Sequence, residues 1–297
     1  MTKIHNNTEP HNIANFLHEE NPFDQLFRNP NADVNADLRL ATLNKLGPIA
    51  KKKQNLMDNT QFWEFMRMAN KKQKSLLLHV ISNLLTPNAP PLQLFFTGPA
   101  GCGKTFVIKL LMEIYNRFSN TDGYCNAYIT ICASTGKAAV AVDGTTVHTA
   151  LKITLSKLLP LSIEVLQQYR ALFKYVKVII VDEISMIGAE LLAQIDSRLK
   201  QITGNYDDNF GSLDIILIGD LRQLPPVKAT PIYKQPKQRM IGPVLWRGLK
   251  FYELTEVMRQ SNIQFSTLLT KLGNGDILNA DELALIESRM FQKDKVN

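Results

Sequence analysis

The chain has 297 residues, of which 45% are hydrophobic and 21% charged, a composition typical of a globular protein with a buried core. Its formal net charge is +7, and residues 228–260 contain seven basic side chains against two acidic ones, which favours a polyanionic partner. The apolar runs are far shorter than the roughly 20 residues of a membrane helix, and the three cysteines lack the spacing of a disulfide scaffold or a zinc site.

The N-terminal part of the chain predicts a mainly helical segment ahead of the principal domain. Residues 1–35 are rich in Asn, His, Glu and Pro and predict a poorly ordered lead-in without a secretory signal or transit peptide, so we expect an intracellular protein. Helical spacing follows over residues 37–49 and 61–84, and a proline-rich run after residue 86 ends the second helix. The residues expected on the buried face of that helix are Phe62, Phe65, Met66 and Ala69.

From residue 92 onward, short apolar runs alternate with helical stretches. The runs lie at 92–97, 128–133, 177–181 and 213–218, and the helical stretches at 105–117, 136–142 and 189–200. Continuous apolar strands separated by helices predict a parallel sheet with helices on both faces. Because ligands in such folds bind at the carboxyl ends of the strands, we expect the chemistry directly after each strand.

The first predicted strand leads into a match to the phosphate-binding pattern G-x-x-x-x-G-K-[ST]. Its glycines allow backbone N–H groups to surround phosphate oxygens at the N-terminus of the following helix. Lys104 is predicted to reach the β- and γ-phosphates, and the Thr105 hydroxyl to bind Mg²⁺. The residues predicted to bind ATP here are Gly98, Pro99, Ala100, Gly101, Cys102, Gly103, Lys104 and Thr105.

An acidic pair follows the third predicted strand. Asp182 is placed to hold the Mg²⁺ shell, and Glu183 to orient and polarise the attacking water, which favours nucleotide hydrolysis over storage. The alternative is that the pair caps the helix that follows, a common use of acidic side chains.

Two further strand ends carry polar groups. Gln223, after the last predicted strand, has an amide that can contact a γ-phosphate oxygen; the alternative is a surface amide in a proline-bounded loop. Ser134, Thr135 and Lys137 follow the second predicted strand and indicate an anion site one strand away from ATP, suited to a nucleic-acid backbone. Simple N-capping by Ser134 or Thr135 is the alternative there.

Six segments occur in the order seen in superfamily-one DNA helicases, and the set resembles the Pif/RecD-like group, including the helicase parts of Helitron-type transposons. The segments are TGPAGCGKT, ASTGKAA, GTTVHTAL, VDEISMIG, GDLRQLPPV and LTEVMRQ, and the resemblance runs from about Gln73 to Gln260. It implies a RecA-like P-loop NTPase domain of the α/β class. It also implies ATP and Mg²⁺ as cofactors and single-stranded DNA or a single-strand/duplex junction as the partner, with no membrane partner.

The resemblance implies roles for single residues as well. Gln73 is similar to the glutamine that reads the adenine edge. Asp182 and Glu183 resemble the metal ligand and the catalytic base, and Gln223 resembles the coupling glutamine. Arg259 is similar to the arginine that reaches the γ-phosphate and stabilises transition-state charge; its alternative is one more member of the basic segment.

The resemblance also assigns residues to the path of single-stranded DNA. Lys137 and His148 are similar to positions that line this path, although a lone histidine is more often a packed or capping residue. Trp246 and Phe251 can serve as stacking platforms for bases, with core packing as the alternative.

Helicases of this group have two RecA-like lobes with ATP between them, and this chain matches the first. We expect residues 1–60 to form the lead-in, 61–262 the motor domain and 263–297 a helical extension, with the second lobe absent. This organisation predicts nucleotide and Mg²⁺ binding, weak hydrolysis and little unwinding by the chain alone.

The resemblance implies a nuclear location and a part in DNA repair, recombination or telomere maintenance. Two other functional classes stay open at this point. One is a catalytically weak, transposon-derived remnant that binds ATP or a partner. The other is a P-loop ATPase of another branch.

Overall fold

The computed structural model describes residues 49, 53, 57–119, 125–132, 139–140, 144–154, 158–234, 245–258 and 263–288. All of them belong to one structural unit that comprises residues 46–297. The helices expected at 37–49 and 136–142 fall almost entirely outside the described residues.

The described elements alternate between helices and strands. The helices are α1 (Asn59–Met68), α2 (Lys71–Leu85), α3 (Lys104–Phe118), α4 (Val147–Leu151), α5 (Ile163–Phe173), α6 (Ala189–Thr203), α7 (Ile263–Asn274) and α8 (Ala280–Glu287). The strands are β1 (Gln93–Thr97), β2 (Tyr128–Cys132), β3 (Thr145–Thr146), β4 (Val178–Asp182), β5 (Asp214–Ile218) and β6 (Lys250–Glu253). Within this described part, no helix combines the length and hydropathy that crossing a bilayer requires.

The six strands form one sheet in the order β3-β2-β4-β5-β1-β6, and their described pairings are parallel. The four central strands are almost fully buried, whereas the edge strands β3 and β6 are partly or largely exposed. This arrangement confirms the predicted parallel sheet covered on both faces. The two edge strands were not predicted, because short, exposed strands lack a continuous apolar run.

The sheet order separates the phosphate loop from the end of β2. Strands β5 and β4 lie between β1 and β2, so the position after β2 is three strands from the phosphate loop. The prediction that the second anion site lies one strand away is therefore wrong. Its physical reason is that β1 pairs with β5 and β6, which come much later in the chain.

The single helix expected over residues 61–84 is instead two helices, α1 and α2. Asn70 is the N-cap of α2, and its Oδ1 accepts a hydrogen bond from the backbone N of Gln73 at 2.9 Å. In return, Oε1 of Gln73 accepts from the backbone N of Asn70 at 3.0 Å, which completes a capping box. These side chains satisfy backbone donors that a continuous helix would have used, so the chain turns at Ala69.

The main core lies between helices α1 to α3 and one face of the sheet. Phe62, Met66 and Ala69 are buried there as expected, and the partly buried Phe65 packs against the same cluster. Burying a large apolar side chain stabilises a fold by about 1.5–3 kcal/mol, so this cluster fixes α3 and the loop before it against β1.

Candidate nucleotide site

Parallel pairing brings the carboxyl ends of the strands to one edge of the sheet. Phe96 of β1 pairs with Ile218 of β5, and β5 pairs in turn with β4. The phosphate loop after β1, Asp220 after β5 and Asp182 at the end of β4 therefore follow neighbouring strands. The structure places the candidate nucleotide site at this edge.

Two glycines of the phosphate loop (residues 98–105) have backbone conformations that favour glycine. Gly101 and Gly103 have φ angles of 82° and 85°, in the left-handed region that other residues rarely adopt, and Gly103 is the N-cap of α3. Nζ of Lys104 donates to the carbonyl oxygens of Gly98 at 2.8 Å and Pro99 at 3.1 Å. The first turn of α3 contains no acidic residue and includes the exposed Thr105. The loop and helix together form a positively polarised end suited to an anion.

A segment that follows β6 packs against the phosphate loop. The backbone N of Met258 donates to the carbonyl oxygen of Gly101 at 2.9 Å. A Cβ atom on Gly98 would lie 2.5 Å from the carbonyl oxygen of Leu254, so this close approach requires glycine. Met258 directly precedes Arg259, which itself lies outside the described residues.

Gln73 lies beneath the phosphate loop with only 2% of its surface exposed. Its Nε2 donates to the carbonyl oxygen of Cys102 at 3.1 Å, while its Oε1 is engaged in the capping box of α2. One N–H and one lone pair of the amide remain for a further partner. The structure thus connects Gln73 to the loop, and its contact with adenine stays a prediction.

Cys102 belongs to the packed side of the loop. It is fully buried, and this burial raises the pKa of its thiol. Since the thiolate is the reactive form, Cys102 contributes packing and a backbone acceptor rather than thiol chemistry.

Asp182 stands half-buried at the end of β4. Its Oδ1 accepts a hydrogen bond from the backbone N of Glu183 at 2.8 Å. Burial raises the pKa of Asp182 to about 6; the nearby Glu183 carboxylate adds to the rise, and the hydrogen bond and the Lys104 ammonium oppose it. Asp182 and Lys104 are therefore electrostatic neighbours, as the two halves of a nucleotide site require.

Glu183 adopts a backbone conformation that is unusual for its type. Its φ and ψ angles are 56° and 42°, in the left-handed region, just before the 3-10 turn Ile184–Met186. Its side chain makes no capping hydrogen bond to that turn, so the observed geometry does not support the capping alternative for Glu183. Non-glycine residues held in such conformations cluster at functional sites.

The loop after β5 is organised by Asp220, which the motif analysis did not single out. Its buried carboxylate accepts hydrogen bonds from the backbone N of Arg222 at 3.1 Å and from Nε of Arg222 at 2.8 Å. Its backbone oxygen accepts from the N of Gln223 at 2.9 Å, and the Gln223 side chain is exposed. The signal in the sequence was an acidic residue at a strand end, where the sheet edge collects ligands.

A cavity of about 320 Å³ lies beside the phosphate loop. Its walls come from this loop, from the loop after β5 and from α7. Residues that line it include Pro99, Ala100, Gly101, Gln223, Leu269 and Gly273. The structure thus brings Gln223 next to the phosphate loop, and it adds α7, which no sequence motif had indicated.

Of the predicted nucleic-acid contacts, His148 lies among the described residues, in the far half of the same sheet edge. Cys132 of β2 pairs with Thr146 of β3, and α4, which contains His148, begins directly after β3. His148 is half-buried, and its carbonyl oxygen accepts from the backbone N of Ile153 at 3.2 Å. The other predicted contacts, Ser134, Thr135 and Lys137, lie outside the described residues.

Trp246 and Phe251 both pack against the buried Phe95 of β1. Their ring centroids lie 4.7 and 5.7 Å from that of Phe95. Packing is therefore observed for both rings, although Phe251 is 59% exposed.

The sequence model of the PIF1-like helicase family matches residues 68–283. This chain belongs to the PIF1-like helicase family. The resemblance to the Pif/RecD-like group is confirmed, and family membership disfavours a P-loop ATPase of another branch. The family match also extends beyond Gln260, where the sequence motifs ended, and includes α7 and the start of α8.

Individual ATP-dependent DNA helicases are similar to part of this chain. The ATP-dependent DNA helicase RRM3 of Saccharomyces cerevisiae is 31% identical over 188 residues, which are 62% of this chain and 25% of that protein. The ATP-dependent DNA helicase PIF1 of Xenopus laevis is 35% identical over 186 residues, 61% of this chain and 27% of that protein.

A solved structure supports the RecA-like fold. The Pif1 helicase from Bacteroides in complex with ADP-AlF3 and single-stranded DNA is 26% identical, with a TM-score of 0.55, over 75% of this chain and 50% of that chain. This chain therefore spans about a quarter of the length of the two curated relatives and half of the solved one.

Proposed function

We propose that this chain is the ATP-binding part of an ATP-dependent DNA helicase that couples ATP hydrolysis to translocation on single-stranded DNA and duplex unwinding. The observation that carries this proposal is the meeting of the phosphate loop, the acidic pair and the Gln223 loop at one edge of the sheet. The relatives described above, which are named as ATP-dependent DNA helicases, support it.

The residues at this edge suit ATP and Mg²⁺. Backbone donors, Lys104 and an α3 N-terminus free of acidic side chains match the charge of a triphosphate. For the metal, Thr105 and Asp182 offer oxygen ligands, which Mg²⁺ prefers, and phosphate oxygens and water complete such sites in proteins. Bound there, Mg²⁺ would neutralise charge on the β- and γ-phosphates.

Each predicted catalytic residue has a distinct task in this proposal. Glu183 orients the attacking water and accepts its proton, and Lys104 exchanges its loop carbonyl partners for phosphate oxygens. Gln223 contacts the γ-phosphate from the neighbouring loop. Arg259 stabilises the negative charge that develops on the transferred group, a role supported by the backbone contact of Met258 with the phosphate loop.

Single-stranded DNA is the proposed polymer partner. It would lie along the β2 and β3 half of the sheet edge, where Ser134, Thr135, Lys137 and His148 are the proposed contacts. The excess of basic residues in the chain favours a phosphate backbone. With DNA as the substrate, we also propose that the protein acts in the nucleus, in DNA repair, recombination or telomere maintenance.

ATP hydrolysis with and without single-stranded DNA tests the proposed function. We expect weak turnover that DNA stimulates, and a loss of about 10²-fold or more in Lys104→Ala, because this residue would supply positive charge to the β- and γ-phosphates. Lys109→Ala is the matched control, since Lys109 is exposed on the same helix. Wild-type chain that binds no ATP, or Lys104→Ala that hydrolyses ATP normally, would contradict the proposal.

The same experiment tests the remnant alternative. ATP binding without turnover, whether or not DNA is present, would favour a protein that binds nucleotide but does not act as a motor. Efficient strand separation by the 297-residue chain would contradict the expected weak activity.

A further inference from the structure

Arg222 connects the loop after β5 to helix α7, and both of these elements line the cavity beside the phosphate loop. Its Nε and Nη2 contact the two carboxylate oxygens of Asp220 at 2.8 and 3.3 Å. Its Nη1 donates to Oδ1 of Asn274, the last residue of α7, at 3.0 Å. A single guanidinium therefore contacts both the loop after β5 and the end of a helix 52 positions later in the chain.

Asp220 fixes the orientation of this guanidinium. The carboxylate is only 6% exposed and directly follows Gly219 at the end of β5, so it is itself held by the sheet. Its hydrogen bonds raise the pKa of Arg222, which stays charged. A planar guanidinium held along one edge by two hydrogen bonds to a carboxylate loses little further conformational freedom when it bonds a second partner.

Helix α7 forms one wall of the pocket beside the phosphate loop. Leu269 and Gly273 line that pocket together with Pro99 and Ala100, and Leu268 is buried and anchors the helix. The Arg222 contact is at the C-terminal end of the same helix. It therefore fixes the end of α7 nearest Gly273.

We propose that Arg222 is a positioning residue that, through Asn274, holds α7 against the nucleotide pocket and thereby slows nucleotide release. The inference rests on the proposed nucleotide binding. The hydrogen bond is charge-assisted but exposed, and such contacts change an equilibrium or a rate by at most about fivefold.

Release of a fluorescent N-methylanthraniloyl-ADP with Mg²⁺, followed by stopped flow after addition of excess unlabelled ADP, tests this role in the full chain. We expect Asn274→Ala to release the nucleotide about two- to fivefold faster, with an unchanged association rate and an unchanged melting temperature without nucleotide. Nδ2 of Asn274 also donates to Oδ2 of Asp276 at 3.2 Å, so the matched rescue is the double variant Asn274→Asp with Asp276→Asn, which keeps an acceptor oxygen for Arg222 and should restore slow release. Lys271→Ala breaks the ion pair of α7 with Glu282, which measures 2.7 Å, and should release at the wild-type rate.

Two results would overturn the inference. One is an equal release rate for wild type and Asn274→Ala. The other is an equal acceleration by Lys271→Ala and Asn274→Ala, because the general stability of α7 would then set the rate. A wild-type chain that binds no labelled ADP is a different result, since it would overturn the proposed nucleotide binding itself.

Discussion

Glu183 is one of six non-glycine residues with a positive φ among the described residues, and it follows directly after Asp182. The left-handed conformation costs a non-glycine residue about 1–2 kcal/mol, and glycine at this position would relieve that strain. A carboxylate is nevertheless present there, beside Asp182 at the end of β4. The strain is consistent with a position at which the chemistry of the side chain matters more than the stability of the backbone.

Substitutions at Glu183 should separate stability from hydrolysis. We expect Glu183→Gly to be about 1 kcal/mol more stable than Glu183→Ala, because glycine alone accepts this φ without strain. Both variants should lose ATP hydrolysis. Urea unfolding and an ATPase assay on the two variants measure these outcomes.

Glu164 provides the control for this comparison. It is exposed in the first turn of α5, where the backbone is right-handed. The variant Glu164→Gly should therefore be less stable than Glu164→Ala by about 0.5–1 kcal/mol. The same order of stability at both positions would contradict the argument from strain.

Among the secondary-structure elements, most of those with local signals were predicted, and those set by distant contacts were not. The phosphate loop was found because its glycines, its lysine and the flanking strand and helix are adjacent in the sequence. The break between α1 and α2 was missed, although Asn70 and Gln73 carry the spacing of a capping box. Apolar periodicity continues across the break, and it concealed the cap.

The cap of α2 gives a prediction for this element. Asn70→Ala should lower the free energy of unfolding by about 1 kcal/mol, because the backbone N of Gln73 loses its acceptor. Nucleotide affinity should fall as well, since Gln73 joins this cap to the phosphate loop. Urea unfolding and nucleotide titration measure the two effects.

Asn70→Asp is the matched control. It keeps the acceptor oxygen, and it removes Nδ2 of Asn70, a buried donor with no hydrogen-bond partner among the described residues. We expect wild-type stability or better, helped by a negative charge at a helix N-terminus. A loss as large as that of Asn70→Ala would show that the cap is not the cause.

Across the whole molecule, Asp214 joins three elements of the fold. Its Oδ1 accepts from the backbone N of Leu92, just before β1, at 2.6 Å, and its Oδ2 accepts from the Tyr115 hydroxyl of α3 at 2.8 Å. Leu92 and Asp214 are 122 residues apart, and no local pattern predicts such a contact. The position of β5 between β1 and β4 was unpredicted for the same reason.

Asp214 predicts a pH dependence of stability. Burial raises the pKa of Asp214 above its ordinary value of 3.8, so the folded state binds its proton more tightly than the unfolded state. The contribution of this group to stability is therefore present at low pH and lost as pH rises through the folded-state pKa. In the variant Asp214→Asn the side chain cannot ionise, and its amide oxygen can still accept the hydrogen bond from the backbone N of Leu92.

Unfolding of wild type and Asp214→Asn across a pH series measures this effect. We expect the stability of the variant relative to wild type to increase as pH rises from about 4 to about 8. A difference that stayed constant across this range, or that decreased, would contradict the assignment.

The order of strands in the sheet has a consequence for biosynthesis. β1, which carries the phosphate loop, pairs with β5 and β6, so its strand partners are translated only after more than a hundred further residues. A nascent chain that ends before β5 contains the complete phosphate loop but not the sheet that holds it in place. Nucleotide can therefore assist folding on the ribosome only after β5 has been synthesised, and until then chaperones that bind exposed apolar strands can engage β1.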